Sequence, residues 1–166
     1  RIIATITNPN GGQTIDLTPL GLANFVSNVS FFDLGNNQRI NTTGWHLTAI
    51  ATAKRRRVFG AAYTSDTPLG YGNNNNRTMY APASMAANTN SQIVFQLEIP
   101  FSKDDVDLRG SIYADVTNAN MQVQITLNPN MFVTSTSDPT LAVYQSQGAT
   151  LPTLSRLRVT KPTIYA

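Results

Sequence analysis

Residues 42 to 57 read TTGWHLTAIATAKRRR and hold the chain's single tryptophan (Trp45), its single histidine (His46) and four consecutive cations, Lys54, Arg55, Arg56 and Arg57. An imidazole can act as a general base or a metal ligand, and a cationic run can meet a phosphate backbone, an anionic membrane or an acidic protein patch. A histidine-based triad could use His46 alone, and the chain has no G-x-S-x-G elbow to supply a serine. One histidine also falls short of the several ligands a cupin-type metal site requires. His46 is therefore expected to be a packed residue with one satisfied hydrogen bond.

Asp104, Asp105 and Asp107 are the other chemical candidates, because close carboxylates can hold a hard cation. They lack the glycine and distal glutamate of a calcium loop. Ser102 ahead of them suits a helix N-cap, so acids complementing the dipole of a first helical turn are expected instead, in a helix that Gly110 limits. No Walker loop or G-x-G-x-x-G occurs, and GYG at 70 to 72 runs straight into four asparagines. The lack of cysteine excludes disulfides, thiolate catalysis and cysteine-ligated zinc, and suits a reducing cytoplasm. Sequons at Asn28, Asn41 and Asn76 matter only in a chain secreted through a eukaryotic pathway. The expectation is a protein with no catalytic residue, no metal and no cofactor, and not an enzyme.

The elements that must position these residues are mostly strands. Alternating or β-branched runs bounded by Asn, Gly, Pro and Ser occur at Ile2 to Thr7, Phe25 to Leu34, Val58 to Tyr63, Ser91 to Ile99, Met121 to Leu127, Leu141 to Gln145 and Leu154 to Tyr165. In ITNPNGG (6 to 12) and TLNPNMF (126 to 132) an asparagine precedes a proline, which removes a ladder donor and marks a strand exit. GYGNNNNRT (70 to 78) suits a surface loop. The stretch from Trp45 alternates like a strand through Leu47, Ala49, Ala51 and Ala53, yet a cap at Thr42 or Thr43 and the alanine content favour a helix. On helical geometry His46 falls beside Ile50 and Ala53 on an apolar face, and Trp45, His46, Leu47 and Ile50 are expected to anchor that helix by packing. The cations then close its C-terminus, where they favour the dipole, and become a candidate subunit or membrane contact.

With 166 residues the chain has the size of one domain, and such a fold removes roughly 70% of the unfolded surface from water. A hydrophobic fraction of 41% against 13% charged residues excludes a disordered chain and assigns stability to burial. The net charge of +3 is concentrated at 54 to 57, unlike the spread basic face with interleaved aromatics of a nucleic-acid module, so no specific nucleic acid is expected. No apolar run reaches the roughly 20 residues of a membrane span. Opening at Arg1 inside strand-like sequence, the chain reads as part of a longer protein.

Six stretches in order, FFDLGNNQR (31 to 39), TTGWHLTAIATAK (42 to 54), DTPLGYG (66 to 72), APASMAA (81 to 87), IPFSKDDVDLRGSIYADV (99 to 116) and DPTLAVYQSQGA (138 to 149), resemble the major coat proteins of the tectiviruses, icosahedral bacteriophages with an internal membrane. The resemblance covers most of the chain. It implies an all-β, eight-stranded antiparallel jelly roll with one or two short helices in its connections, residues 1 to 166 forming the first of two successive jelly rolls. It implies a short GWHL helix, and a connection at FSKDDVDLRG after a strand ending at Pro100. It also implies a homotrimer forming a pseudo-hexagonal block, neighbouring capsid subunits and minor capsid proteins as partners, contact with the internal membrane, and a place in the virion after assembly in the host cytoplasm. The basic run departs from the family's pattern and points to a different neighbour. From another class, a carbohydrate- or receptor-binding jelly roll would expose aromatics, for which Tyr71 and Tyr80 are the loop candidates.

Overall fold

The computed structural model describes residues 2–9, 11, 13–55, 79–95, 99 and 120–159, with the backbone path alone for 51–55 and 79–80. The predicted strand at Val58 to Tyr63, the loop at 70 to 78 and the segment from Ser102 to Asp115 lie outside the described residues.

Strand β1 (Ile2–Asn8) follows from its sequence: in IIATITN the residues Ile2, Ala4, Ile6 and Asn8 are buried while their neighbours are half-buried, the period of two of a pleated strand with one face on a core. It is flanked by β11 (Thr153–Val159) and β7 (Thr89–Phe95), and β5 (Met79–Tyr80) completes the antiparallel order β11-β1-β7-β5. A second sheet has β3 (Val26–Phe32) between β4 (Gln38–Thr42) and β8 (Gln122–Leu127), again antiparallel. A third, of short pieces, runs β6 (Ser84–Met85), β2 (Ile15–Leu17), β10 (Tyr144–Ser146) and β9 (Phe132–Val133), with β9 and β10 parallel. Among the described residues one helix, α1 (Gly44–Arg55), and a 3-10 turn at Ala23–Phe25 interrupt the strands. The fold is all-β and jelly-roll-like.

The strand set is finer than predicted. Eleven strand segments occur among the described residues, and Ile15–Leu17, Gln38–Thr42, Met79–Tyr80, Ser84–Met85 and Phe132–Val133 were not anticipated. Two or three residues cannot display a period, and Gln38–Thr42 (QRINT) is polar and largely exposed, so it buries no apolar face to announce it. The run predicted from Leu141 pairs only from Tyr144 onward, and Phe25 belongs to the 3-10 turn rather than to β3.

A single core joins the three sheets. Ile2, Ala4 and Ile6 of β1, Ile15 of β2, Val26 and Val29 of β3, Leu47 of α1, Ile93 and Phe95 of β7 and Tyr144 of β10 belong to one buried cluster. Tyr144 is fully buried, and its hydroxyl donates to the Pro82 carbonyl at 2.8 Å, so its polar end is satisfied.

Both Asn-Pro corners end strands, β1 at Asn8 and β8 just before Asn128. Their asparagines also staple. The buried Asn8 amide nitrogen faces the carbonyls of Gln13 (2.9 Å), Met85 (3.2 Å) and Ala86 (3.0 Å), an arrangement that fixes the amide's orientation because its oxygen would be repelled there. Asn128 donates from its side chain to the Leu141 carbonyl at 2.7 Å and from its backbone to Phe25 at 3.1 Å.

Candidate assembly surfaces

Helix α1 begins where Thr43 caps it: the Thr43 hydroxyl accepts from the His46 N–H at 3.1 Å and its carbonyl from the Leu47 N–H at 3.2 Å. Thr48 donates its hydroxyl to the Gly44 carbonyl at 2.7 Å. Gly44, Leu47 and Thr48 are buried, the i, i+3, i+4 stripe that seats the helix on β3 and the 3-10 turn. Ile50 is half-buried.

The other two expected anchors lie elsewhere. Trp45 is 45% exposed and His46 is exposed as well. Once the stripe through Leu47 is chosen, a step of about 100° per residue swings both side chains toward solvent. The imidazole Nδ1 sits 3.1 Å from the Thr42 hydroxyl, so His46 braces the residue ahead of the cap instead of lying on an apolar face. Lys54 and Arg55 are the last residues along the helix path; their side chains, and all of Arg56 and Arg57, lie outside the described residues.

The turn between β3 and β4 is built on one acid that sequence reasoning passed over. Asp33 is buried; its Oδ1 accepts from the Gly35 and Asn37 N–H groups, both at 2.9 Å, and its Oδ2 pairs with the Arg39 guanidinium. Asn36 takes a left-handed φ of 59°, which asparagine tolerates. The available signal was DLGNN after a strand, an Asx-type turn. The Arg39 hydrogen bond first, then those from Asn37 and Gly35, hold the Asp33 carboxyl below its ordinary 3.8. A carboxyl lowered by folding contributes stability that is present above the unfolded value and is lost as pH falls through the folded one. Unfolding measured at pH 6 and near pH 3 should therefore show a smaller acid loss in Asp33→Asn than in the unaltered chain; equal losses would refute the role. Asp138, lowered by its hydrogen bonds to Thr140, titrates in both proteins and cancels.

The other face of the same sheet carries, beside Phe32, a set of uncharged amides and hydroxyls. Asn28 donates to the Asn41 Oδ1 at 2.8 Å, Ser30 to the Asn28 Oδ1 at 3.0 Å and Gln38 to the Ser30 hydroxyl at 3.2 Å. This polar layer explains why β4 survives without an apolar face, since cross-strand hydrogen bonds stabilise a pair in place of burial. It also uses two of the three sequon asparagines, Asn28 and Asn41, as ladder partners.

Among the described residues the end strands of the sheets differ in character. On β8, Val123 is opposite Phe31 and Ile125 opposite Val29, which puts them on the core-facing side, yet they are 43% and 37% exposed. On β11, Leu157 and Val159 are similarly uncovered opposite Ala4 and Ile2, but Arg156 and Arg158 alternate with them. Large exposed apolar side chains in a row are thus a surface feature of the described strands.

Among the described residues no group of three or more His, Cys, Asp or Glu is placed to hold a metal ion; Asp104, Asp105 and Asp107 lie outside them. No described helix is long and apolar enough to cross a membrane, a statement that does not bear on strands. The chain is 30% identical over 125 residues to the major capsid protein P3 of Enterobacteria phage PRD1, a match spanning 75% of this chain and 31% of that protein's length. A family model for the N-terminal part of the P3 major capsid protein matches residues 1–164. With the jelly-roll-like sheets, a match over nearly the whole chain leads to one conclusion: the chain belongs to the P3 major capsid protein N-terminal family, the tectivirus-type coat proteins.

Proposed function

We propose that this chain is the first jelly roll of a double-jelly-roll coat subunit that trimerises into pseudo-hexagonal blocks and tiles an icosahedral shell over an internal membrane. The observation carrying this proposal is the family match over residues 1–164, joined to an all-β fold whose described surface offers exposed apolar side chains on its strands. The protein acts by assembly: rigid sheets give the block its shape, and exposed rows and loops supply contacts to neighbouring subunits and to minor capsid proteins. It works in the virion after assembly in the host cytoplasm, without an enzymatic step, a cofactor or a specific nucleic acid. Electron microscopy of the full-length protein expressed with its own virus genes tests this. Density for the subunit in the shell is expected; its absence from the shell, or soluble monomers under assembly conditions, would overturn the proposal.

Within that role Lys54, Arg55, Arg56 and Arg57 meet anionic lipid or the acids of a neighbour. Each cation near an anionic membrane contributes about 1 kcal/mol, so replacing all four by glutamine should lower particle yield or membrane content by about tenfold or more. Salt screens the contact in the unaltered chain, so the gap between the two proteins should narrow as salt is raised past the point where the Debye length falls below about 10 Å. Unchanged yield and lipid content would reject the contact.

A further inference from the structure

A phenylalanine left in water forfeits the transfer free energy of its ring, so the residue ordinarily sits in or against a core. Among the described phenylalanines, Phe25, Phe31 and Phe95 are at most 2% exposed, and Phe132 packs against the buried cluster. Phe32 does neither. It is half-buried, lies apart from the core cluster and stands on the polar face of the β4-β3-β8 sheet, because its neighbour Phe31 takes the core side of β3.

The strand register surrounds this ring with amides. Phe32 pairs with Gln38 of β4 and with Gln122 of β8, which sets one glutamine a strand spacing, about 4.8 Å, to either side of it. The next row across the same strands is Asn41, Ser30 and Gln124, and beyond it Asn28 pairs with Thr126. Hydrogen bonds fix part of the face: Gln38 donates to Ser30, Ser30 to Asn28 and Asn28 to Asn41. This chain leaves the Gln38 Oε1 as a fixed acceptor and the Asn41 Nδ2 as a fixed donor at its two ends. The side chains of Gln122, Gln124 and Thr126 are exposed and make no hydrogen bond among the described residues. No formal charge lies in these rows, and Arg39 at their edge is neutralised by Asp33.

A half-exposed ring between exposed amides matches one class of ligand. A pyranose has a face of C–H groups that stacks on an aromatic ring, and the hydroxyls around its rim both donate and accept, as a carboxamide does. A phosphate chain would need cations that this face lacks. An aliphatic partner would leave the amides unpaired. We infer that the Phe32 face of the β4-β3-β8 sheet is a binding surface for a neutral glycan, with Phe32 beneath one sugar ring and Gln38 and Gln122 on its hydroxyls. The inference goes beyond coat assembly and does not rest on it.

Calorimetric titration of the full-length subunit with maltohexaose, chitohexaose and mannohexaose tests it. At least one of these should bind with a Kd below about 1 mM. The affinity should hold within about twofold as salt is raised, since no charge is screened; an affinity that falls with salt would move the site elsewhere and overturn the proposal. Phe32→Ala should weaken binding by about tenfold or more, whereas Phe32→Tyr, which keeps the ring, should stay within about threefold. Gln122→Ala should weaken binding by about fivefold and leave the melting temperature within about 2 °C, which separates loss of contact from loss of fold. Binding of none of the three sugars, or an affinity indifferent to Phe32→Ala and Gln122→Ala, would overturn the proposal. So would binding by the free subunit that assembled particles lack, because the face would then belong to a neighbouring subunit.

Discussion

Replacing Phe25 by alanine is expected to remove about 4 kcal/mol of stability, a large share of the roughly 5–15 kcal/mol that holds a domain folded. Phe25 is fully buried on the 3-10 turn that leads into β3, and its ring lies 6.1 Å from that of Phe95, tilted by 57°. Phe95 belongs to β7, so this aromatic pair joins the β11-β1-β7-β5 sheet to the turn that launches the β4-β3-β8 sheet. The loss has two sources, the transfer free energy of the ring and the void left between two sheets that cannot close on it. The backbone link from Asn128 to the Phe25 carbonyl survives the substitution, so the defect is one of packing. In a domain of this size it should lower the melting temperature by about 8–16 °C. In urea the midpoint should fall with an unchanged slope. Phe25→Leu, which refills most of the space, should lose much less; a loss under about 1 kcal/mol for alanine would show that Phe25 is not central.

Gly44→Ala is expected to destabilise by about 2 kcal/mol, although alanine is the better helix former by about 1 kcal/mol in a helix interior. A Cβ on Gly44 would stand 2.5 Å from the Val26 carbonyl oxygen and 2.8 Å from the Val26 Cβ, inside any permitted contact. Val26 cannot yield easily, because it is fully buried and pairs with Leu127 of β8. The helix must lift instead, drawing Leu47 out of the core, and that cost exceeds the propensity gain. Trp45, the chain's single tryptophan, is the next residue and reports the movement. A lowered melting temperature with a changed Trp45 emission is the expected result. A stabilised variant with unchanged emission would show that propensity wins and that the close approach of α1 to β3 does not matter.

Gly44 also shows how far the sequence could be followed. The residues of β1 announce themselves, because IIATITN alternates and one face is buried; the Asn-Pro pairs announce strand exits, because proline cannot continue a ladder. Helix α1 was legible through its threonines and alanines, and Thr43 proved to be the cap. Its rotation was not, since Trp45, Leu47 and Ile50 offer competing apolar stripes and only the close approach at Gly44 selects the one through Leu47. His46 was therefore expected on an apolar face and lies at the surface. Asp33 escaped notice for a related reason: an acid in a polar turn looks ordinary until the chain folds two N–H groups and Arg39 around it. Strand β8 was legible as a strand, but its place in the fold depends on pairing with β3, about a hundred residues earlier in the chain. The family was legible in the order of six segments, none of which is diagnostic alone.

The two corner asparagines bear on how the protein ages. Asparagine side chains deamidate when the backbone nitrogen of the next residue attacks the side-chain carbonyl, a route that needs an N–H to surrender. Pro9 and Pro129 have none. Were Asn8 to become an aspartate, a carboxylate would face the carbonyls of Gln13, Met85 and Ala86 in a buried site, at a cost of several kcal/mol. The residue pair that turns the chain at the ends of β1 and β8 thus also slows a chemical clock at these two asparagines.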